Sequence, residues 1–183
     1  EGSWSGRLVV ELPSSADDFA LLTGSSADTS SAVTSCRRGT PRIVVNPRLS
    51  SYDESVRFAT LTHEAVHAAT DSACEQGLAW AVEGLAESVA ARADRSTAQA
   101  NRNLVLTYLE RNPVPSALPQ DPRTPTDYAL AQVAADQVRK QLGGQAQDFF
   151  ARATHGDLAA GEISQATTWY RQALRAISAG ARR

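Results

Sequence analysis

The sequence predicts an α+β fold, in which a β-rich part at residues 1–50 precedes a mainly helical part at residues 51–183. Two observations predict this class. Short β-branched runs bounded by turn residues are confined to the first part, whereas apolar residues recur at helical spacing throughout the second. A length of 183 residues without an internal repeat suits one domain with a single core. We therefore expect one domain that contains both kinds of structure.

The first part has the pattern of a strand, a helix and a β-hairpin. The run RLVVEL is rich in strand-forming residues and ends at Pro13, and the next segment has the polar start and the terminal Gly24 of a capped helix. The runs AVTSC and RIVVNP flank the turn-forming residues RRGTP, which predicts a hairpin. The expected elements are a strand at 7–12, a helix at 14–24, a polar loop at 25–31 and strands at 32–36 and 42–47.

The second part opens with the best-marked helix start in the chain. Ser51 and Glu54 have the Ser-x-x-Glu spacing of a capping box, and apolar positions follow helical spacing from there to about Ala69. Residues 112–127 hold five of the eight prolines and are expected to form an extended surface loop. Further helices are expected near 77–92, 98–111, 128–142, 145–153 and 162–179.

Composition and charge argue against two classes of partner. A net charge of -2 offers no general attraction to the phosphates of nucleic acid. The chain has no run approaching the roughly 18 apolar residues of a membrane-spanning helix, and its first residues lack the layout of a signal peptide. The absence of methionine indicates a processed form or an excised domain. We expect no nucleic acid and no membrane contact by this segment, and the oligomeric state stays open.

A metal-binding motif lies within the helix that is expected to end near residue 69. His63-Glu64-Ala65-Val66-His67 has the form HExxH and contains two of the three histidines. Residues four apart share one helix face, so both imidazoles can reach one zinc ion at about 2.0–2.1 Å. Glu64 projects beside the metal, where a carboxylate can take a proton from water. The pattern therefore predicts a zinc ion, Zn2+, with Glu64 as general base.

The next expected helix offers a third ligand. A short connection folds the two helices into an antiparallel pair, which brings Glu83 within reach of His63 and His67. Catalytic zinc usually keeps three protein ligands and one open position. Glu87 lies one turn further on the same face, where it can accept the free N–H of a ligating histidine. The two glutamates could exchange these roles; Glu83 is the preferred ligand because the adjacent Gly84 permits close helix approach.

Two features leave alternatives open. HEAVH can belong to an ordinary packed helix, with Glu83 and Glu87 on a solvated face and Trp80 in the core. Cys36 and Cys74 can form a disulfide, remain buried thiols or supply a thiolate ligand. The thiolate interpretation is the least favoured, since a fuller ligand set lies nearby in the sequence.

The motif and its surroundings resemble a known family. HEAVH followed by W-x-x-E-G-x-A-E, at residues 80–87, resembles the gluzincin clan of zinc metallopeptidases, and more narrowly the peptidase MA-like domains of exported proteins. A strand ending in Asn46-Pro47 before the HExxH helix extends the likeness, as does a Trp-bearing helix, with Trp169, near the C-terminus. The likeness covers most of the chain.

The resemblance implies a fold and an activity. The fold is a thermolysin-like minimal zincin core, with a small mixed sheet on the HExxH helix and a mainly helical C-terminal part. The activity is zinc-dependent hydrolysis of peptide bonds by metal-activated water, with Glu64 as the general base and a peptide or protein as substrate. Tyr128 or His155 would stabilise the oxyanion, and Tyr128 is preferred because it begins a helix as in the family.

The resemblance also implies a substrate-binding strand and a location. An extended substrate would pair with a strand edge, for which the resemblance points to Ile43, Val44 and Val45. Likeness to exported proteins implies an extracellular or cell-surface location, from an exported precursor. The alternative function is a non-catalytic, zinc-bearing extracellular binding or sensing domain of the same fold. A cytoplasmic regulatory protease is less favoured, because no helix-turn-helix or basic segment accompanies the motif.

Overall fold

The computed structural model describes residues 7–181, which fold into a small sheet and a larger set of helices. The strands of this part are β1 (Val10–Glu11), β2 (Ala32–Arg37) and β3 (Thr40–Val45). Its α-helices are α1 (Ala16–Thr23), α2 (Glu54–Ala69), α3 (Ala79–Ala93), α4 (Arg95–Arg111), α5 (Pro125–Leu142), α6 (Ala146–Thr154) and α7 (Ala160–Ala181). The predicted α+β class is confirmed. None of the described helices combines the length and the apolar character that crossing a membrane requires.

The sheet is small and mixed, and it packs on α2. Its order is β1-β3-β2, with β3 parallel to β1 and antiparallel to β2. Ala32 and Ile43 form a hydrophobic cluster with Ala68 of α2. The predicted hairpin is confirmed: Arg38 and Gly39, which join its strands, both have the positive φ angles that a tight two-residue turn requires.

The middle position of β3 contradicts the predicted role of Ile43, Val44 and Val45. β3 pairs with β2 along its whole length, and Ile43 donates its N–H to the carbonyl of Val9 on the other side at 2.9 Å. Both edges of the strand are therefore occupied by the chain itself. The prediction that this strand offers an edge to a substrate is wrong, because both of its hydrogen-bonding edges are already paired within the sheet.

The free edge of the hairpin belongs to β2. Asn46 donates its N–H to the carbonyl of Ser31 at 3.0 Å, and hydrogen-bonded pairs alternate from there along the ladder. Thr34 lies opposite Ile43 in one of the pairs that exchange no hydrogen bond. The N–H and C=O groups of Thr34 therefore point away from β3. Within residues 7–181, no strand pairs with that side of β2.

The helix that carries the HExxH motif is confirmed, but its predicted cap is not. Asp53 occupies the N-cap position and Glu54 is the first helical residue. Ser51 lies in a short 3-10 helix, Pro47–Ser51, where its hydroxyl donates to the carbonyl of Arg48 at 2.7 Å. The predicted capping box at Ser51 and Glu54 is therefore wrong. The motif lies in the C-terminal half of α2.

α3 runs through the helical part and packs against both α2 and α5. Gly84 lies directly against α5, since a Cβ atom there would be 2.4 Å from the carbonyl oxygen of Ala131 and 3.2 Å from the Cβ of Ala135. Gly84 does permit close helix approach, and the helix that approaches is α5. Trp80 is buried in the main core, with its ring centroid 6.3 Å from that of Phe149.

Residues 113–124 form the predicted proline-rich loop, and α5 begins earlier than expected. The hydroxyl of Thr124 accepts a hydrogen bond from the N–H of Asp127 at 3.2 Å, and the Asp127 carboxylate accepts one from the N–H of Thr124 at 3.0 Å. This reciprocal pair is a capping box that was not among the predicted features. Leu118 is buried in the main core, so the loop is fastened at its middle.

Cys36 and Cys74 form a disulfide. The bond joins β2 to a short 3-10 helix, Ser72–Cys74, that follows α2. The interpretations of these cysteines as buried thiols or as a metal ligand are therefore wrong, and the disulfide interpretation is confirmed. As a result, the strand with the free edge and the segment that follows the HExxH helix are covalently connected.

Candidate metal centre

Two helices bring the predicted ligands together. α2 carries His63 and His67 one turn apart on one face, and α3 carries Glu83 opposite them. The Nε2 atoms of the histidines are 3.0 Å apart, and Glu83 Oε2 lies 3.1 Å from His63 Nε2 and 3.4 Å from His67 Nε2. Among residues 7–181, these three form the one group of side chains arranged to hold a metal ion. The site could therefore bind a cation.

Hydrogen bonds on the far side of each ring fix the histidine orientation. His63 Nδ1 lies 2.9 Å from Glu87 Oε2, and His67 Nδ1 lies 3.1 Å from the hydroxyl oxygen of Ser72. Glu87 can only accept, while Ser72 can accept from His67 and donate to the His67 carbonyl at 3.4 Å. The Nδ1 of His63 therefore donates to Glu87, the Nδ1 of His67 is held by the Ser72 hydroxyl, and each Nε2 faces Glu83, as metal ligation requires. Glu83 is thus the ligand candidate and Glu87 the supporting carboxylate, as predicted.

The carboxylates around the histidines favour positive charge at this site. Burial alone would lower the pKa of His63, but hydrogen bonds to Glu83 and Glu87 raise it to about 10. Burial alone would raise the pKa of Glu83, yet hydrogen bonds from His63 and His67 lower it to about 2. For Glu87, hydrogen bonds from His63 and Asn101 likewise outweigh burial and lower its pKa. Charges that hold a proton this firmly also attract a divalent cation.

Glu64 lies beside the ligand group and is contacted by β2. The hydroxyl oxygen of Thr34 is 2.6 Å from Glu64 Oε2 and 3.0 Å from the backbone carbonyl oxygen of Glu64. A hydrogen bond to an ionised acceptor is stronger than one to a neutral carbonyl, and the shorter distance agrees with this. The negative charge of Glu64 also acts on His63 and Tyr128. The predicted base is therefore close to the ligands but is not one of them.

Of the two predicted oxyanion donors, Tyr128 lies at the site and His155 does not. The ring centroid of Tyr128 is 6.0 Å from that of His63, in an edge-to-face arrangement. Burial, and then the charges of three nearby glutamates and of Asp121 in the proline-rich loop, raise the pKa of Tyr128 to about 12. Its hydroxyl stays protonated at neutral pH. His155 is exposed at the end of α6, where its Nδ1 bonds the carbonyl of Ala151 at 2.8 Å.

A buried polar network supports Glu87 from behind. Asn101 on α4 donates through Nδ2 to Glu87 Oε1 at 2.6 Å and to Gln132 Oε1 at 2.8 Å. Gln132 donates to Asp136 at 3.2 Å, and Asp136 also accepts from the Ser88 hydroxyl at 2.5 Å. Both oxygens of Glu87 are therefore hydrogen-bonded, and α3, α4 and α5 are linked behind the candidate ligands.

Three residues that position the site were missed in the sequence. Thr34 contacts the HExxH helix only because β2 lies beside α2, which no local pattern encodes. Ser72 follows His67 by five residues, outside any helical spacing, and the nearby Cys74 is the one sequence signal that could have drawn attention to it. Asn101 lies on a polar stretch of α4 and is buried only through tertiary packing.

Comparisons with protein-family models, with curated proteins and with solved structures found no match for this chain. The resemblance to the gluzincin clan therefore stays a prediction from the motif.

Proposed function

We propose that this chain is a zinc-dependent peptidase with a thermolysin-like core, whose zinc ligands are His63, His67 and Glu83. The observation that carries the proposal is the convergence of two imidazole nitrogens and one carboxylate oxygen at separations of 3.0, 3.1 and 3.4 Å. Tetrahedral zinc with bonds of about 2.0–2.1 Å keeps its ligand atoms about 3.3 Å apart. The residues therefore fit a zinc ion with little rearrangement.

The donor set favours zinc over other common cations. Two imidazoles and one carboxylate form a ligand set found in catalytic zinc sites, whereas calcium and magnesium take mainly oxygen ligands. Three protein ligands leave one position open, which distinguishes catalytic zinc from structural zinc. The disulfide between Cys36 and Cys74 removes both thiols from any alternative ligand set.

Glu64 is proposed to move the proton in peptide-bond hydrolysis. When bound, zinc would act as a Lewis acid toward the scissile carbonyl and lower the pKa of water. Glu64 would accept a proton from the attacking water and deliver it to the nitrogen of the leaving amine. Within residues 7–181, Thr34 hydrogen-bonds one oxygen of this carboxylate and the other oxygen has no such partner. That free oxygen supports a role in proton transfer.

Tyr128 is proposed to stabilise the carbonyl oxygen as negative charge develops on it. Its ring lies next to His63. Its raised pKa keeps the hydroxyl protonated, so that it can donate a hydrogen bond at neutral pH. The proline-rich loop, which brings Asp121 near Tyr128, would border the substrate on this side.

The proposed substrate is an extended peptide or protein segment at the outer edge of β2. This edge replaces the β3 strand as the substrate-binding candidate. The N–H and C=O groups of Thr34 face it, and the same residue contacts Glu64 through its side chain. Backbone pairing at such an edge supplies affinity for extended chains of many sequences. A peptide bound there would lie beside the proposed base.

The disulfide supports a proposed location outside the cell or at its surface, after export. Disulfides persist in oxidising compartments and are rare in the cytosol. Cys36 and Cys74 are the two cysteines of the chain, and both are in this bond. The location would suit either a secreted peptidase or the alternative, a non-catalytic zinc-bearing binding domain.

Elemental analysis of protein purified without added metal tests the metal centre. We expect about one zinc per chain, and its loss in the His63→Ala/His67→Ala variant, because catalytic sites bind one ion through such ligands. Glu64→Gln should then keep its zinc and lose peptide cleavage. Glu110→Gln, which changes an exposed glutamate on α4, is the matched control and should keep both.

Three results would contradict the proposal in different ways. Protein that takes up no zinc, even when zinc is offered, would refute the metal centre. Zinc-loaded parent protein that cleaves no peptide in a mixed peptide library would favour the non-catalytic binding domain. Parental cleavage rates in the Glu64→Gln variant would disprove the role of Glu64 alone.

A further inference from the structure

We propose that Thr34 is a positioning residue for the Glu64 carboxylate, an inference that rests on the proposed peptidase function. The Thr34 hydroxyl oxygen lies 2.6 Å from Glu64 Oε2, a distance typical of a strong hydrogen bond to an ionised acceptor. In the described part of the chain, no other residue donates a hydrogen bond to this carboxylate. Without the bond, the Glu64 side chain would be free to exchange between rotamers.

Thr34 is held in place by contacts that do not involve Glu64. It is paired opposite Ile43 within the hairpin. Cys36 lies two residues further on the same strand face and is bonded to Cys74, just beyond the end of α2. The strand is therefore joined covalently to the segment that follows the HExxH helix, by a bond that does not involve Glu64. A supporting residue needs such a rigid base to fix the geometry of a reacting group.

The Thr34 hydroxyl has two acceptors within reach and one proton to donate. Besides the carboxylate oxygen, the backbone carbonyl oxygen of Glu64 lies 3.0 Å away. A bond to the carbonyl would attach β2 to α2 and leave the carboxylate free. A bond to the carboxylate would hold the base itself. The two arrangements have different consequences, which makes the role of Thr34 testable.

Thr34 also connects the base to the proposed substrate edge. Its backbone N–H and C=O face the open side of β2, while its side chain faces α2. A peptide paired with this edge would be aligned by the same residue that holds Glu64. One residue would thereby set the distance between the scissile bond and the group that moves the proton.

Kinetics of two Thr34 variants test the positioning role. Thr34→Val removes the hydroxyl at nearly constant volume and should lower kcat roughly tenfold or more, as loss of a supporting hydrogen bond does. KM and zinc content should stay at parental values, and Thr34→Ser should recover most of kcat. Thr168→Val, at an exposed threonine on α7, is the matched control. A Thr34→Val enzyme with parental kcat, or a serine variant as slow as the valine variant, would overturn the proposal.

A double-mutant cycle tests the same bond without catalysis. The urea midpoints of Thr34→Val, Glu64→Ala and the double variant are compared at matched zinc content. We expect the double variant to shift by less than the sum of the single shifts, because either change removes the same hydrogen bond. Additive shifts would show that the hydroxyl serves only the backbone carbonyl and would overturn the proposal. An inactive parent protein would refute the peptidase function, and the cycle would still decide what Thr34 holds.

Discussion

A proton and a metal ion compete for the same nitrogen of His63. The pKa of His63 is raised from 6.5 to about 10, so the metal-free ring is charged at neutral pH. Zinc binds only the neutral ring, so we expect zinc binding to release about one proton from it. Titration calorimetry at neutral pH, in buffers of different ionisation enthalpy, measures this release. Binding heats that do not depend on the buffer would contradict the prediction.

The stability of the metal-free fold and the affinity for zinc should change with pH in opposite directions. Because the pKa of folded His63 lies above its ordinary value, its charge stabilises the metal-free fold fully below pH 6.5, and this contribution is lost as the pH rises to about 10. Zinc affinity should instead increase over that range, since the competing proton leaves. Glu87→Gln removes one of the carboxylates that hold the proton and should reduce the number of protons released.

The residues that the sequence revealed are those whose positions depend on helical spacing alone. His63, His67 and Glu64 were predicted because three and four residue intervals determine which side chains share a helix face. The prediction of Glu83 as a ligand needed one further assumption, that a short turn joins the two helices. Thr34 could not be found in this way, because its contact with Glu64 depends on which strand lies beside α2.

At the scale of elements, the contact between α3 and α5 positions the third ligand. Gly84→Ala would place a methyl group 2.4 Å from the backbone carbonyl oxygen of Ala131, which cannot rotate away. Overpacking of this kind costs about 1–3 kcal/mol, more than the roughly 1 kcal/mol that alanine gains over glycine in a helix. We therefore expect a lower free energy of unfolding, and weaker zinc binding because Glu83 is adjacent. Urea denaturation and zinc competition measure the two effects.

Gly161→Ala is the control for this prediction. Gly161 lies in the first turn of α7, where an added Cβ atom would meet no atom within 4 Å. Only the helix preference of alanine should act there, so the variant should be neutral or more stable by up to about 1 kcal/mol. Equal changes in the free energy of unfolding for Gly84→Ala and Gly161→Ala would show that α5 shifts to accommodate the methyl group at Gly84.

Element types followed from the sequence, whereas strand neighbours and some helix caps did not. The β2–β3 hairpin was predicted because turn-forming residues separate two strand-like runs. The place of β3 in the middle of the sheet depends on its long-range pairing with β1, which has only two residues, Val10–Glu11. Ser51 and Glu54 have the spacing of a capping box, but the chain at Ser51 forms a 3-10 turn. The Ser51 hydroxyl therefore donates to the carbonyl of Arg48 and does not cap α2.

At the scale of the whole molecule, the candidate metal centre lies where the sheet meets the helical part. α2 packs on the sheet through Ala68, and α3 packs on α5 through Gly84. The candidate ligands are divided between these two helices, so a bound ion would join the two parts. Any ligand that binds the folded chain alone stabilises it in proportion to the logarithm of its concentration over its dissociation constant. The melting temperature should therefore rise with free zinc.

The disulfide should be the main covalent contribution to the stability of this arrangement. Cys36 and Cys74 are separated by 38 residues, and the closed loop contains β3 and α2 with the HExxH motif. Closing a loop of this length restricts the unfolded chain and stabilises the fold by about 4 kcal/mol. Cys36→Ser/Cys74→Ser should therefore lower the free energy of unfolding by about that amount at matched zinc content, measured by urea denaturation. A reductant should shift the parent midpoint to that of the variant and leave the variant unchanged. Equal midpoints for the parent and the variant without reductant would contradict this contribution of the disulfide.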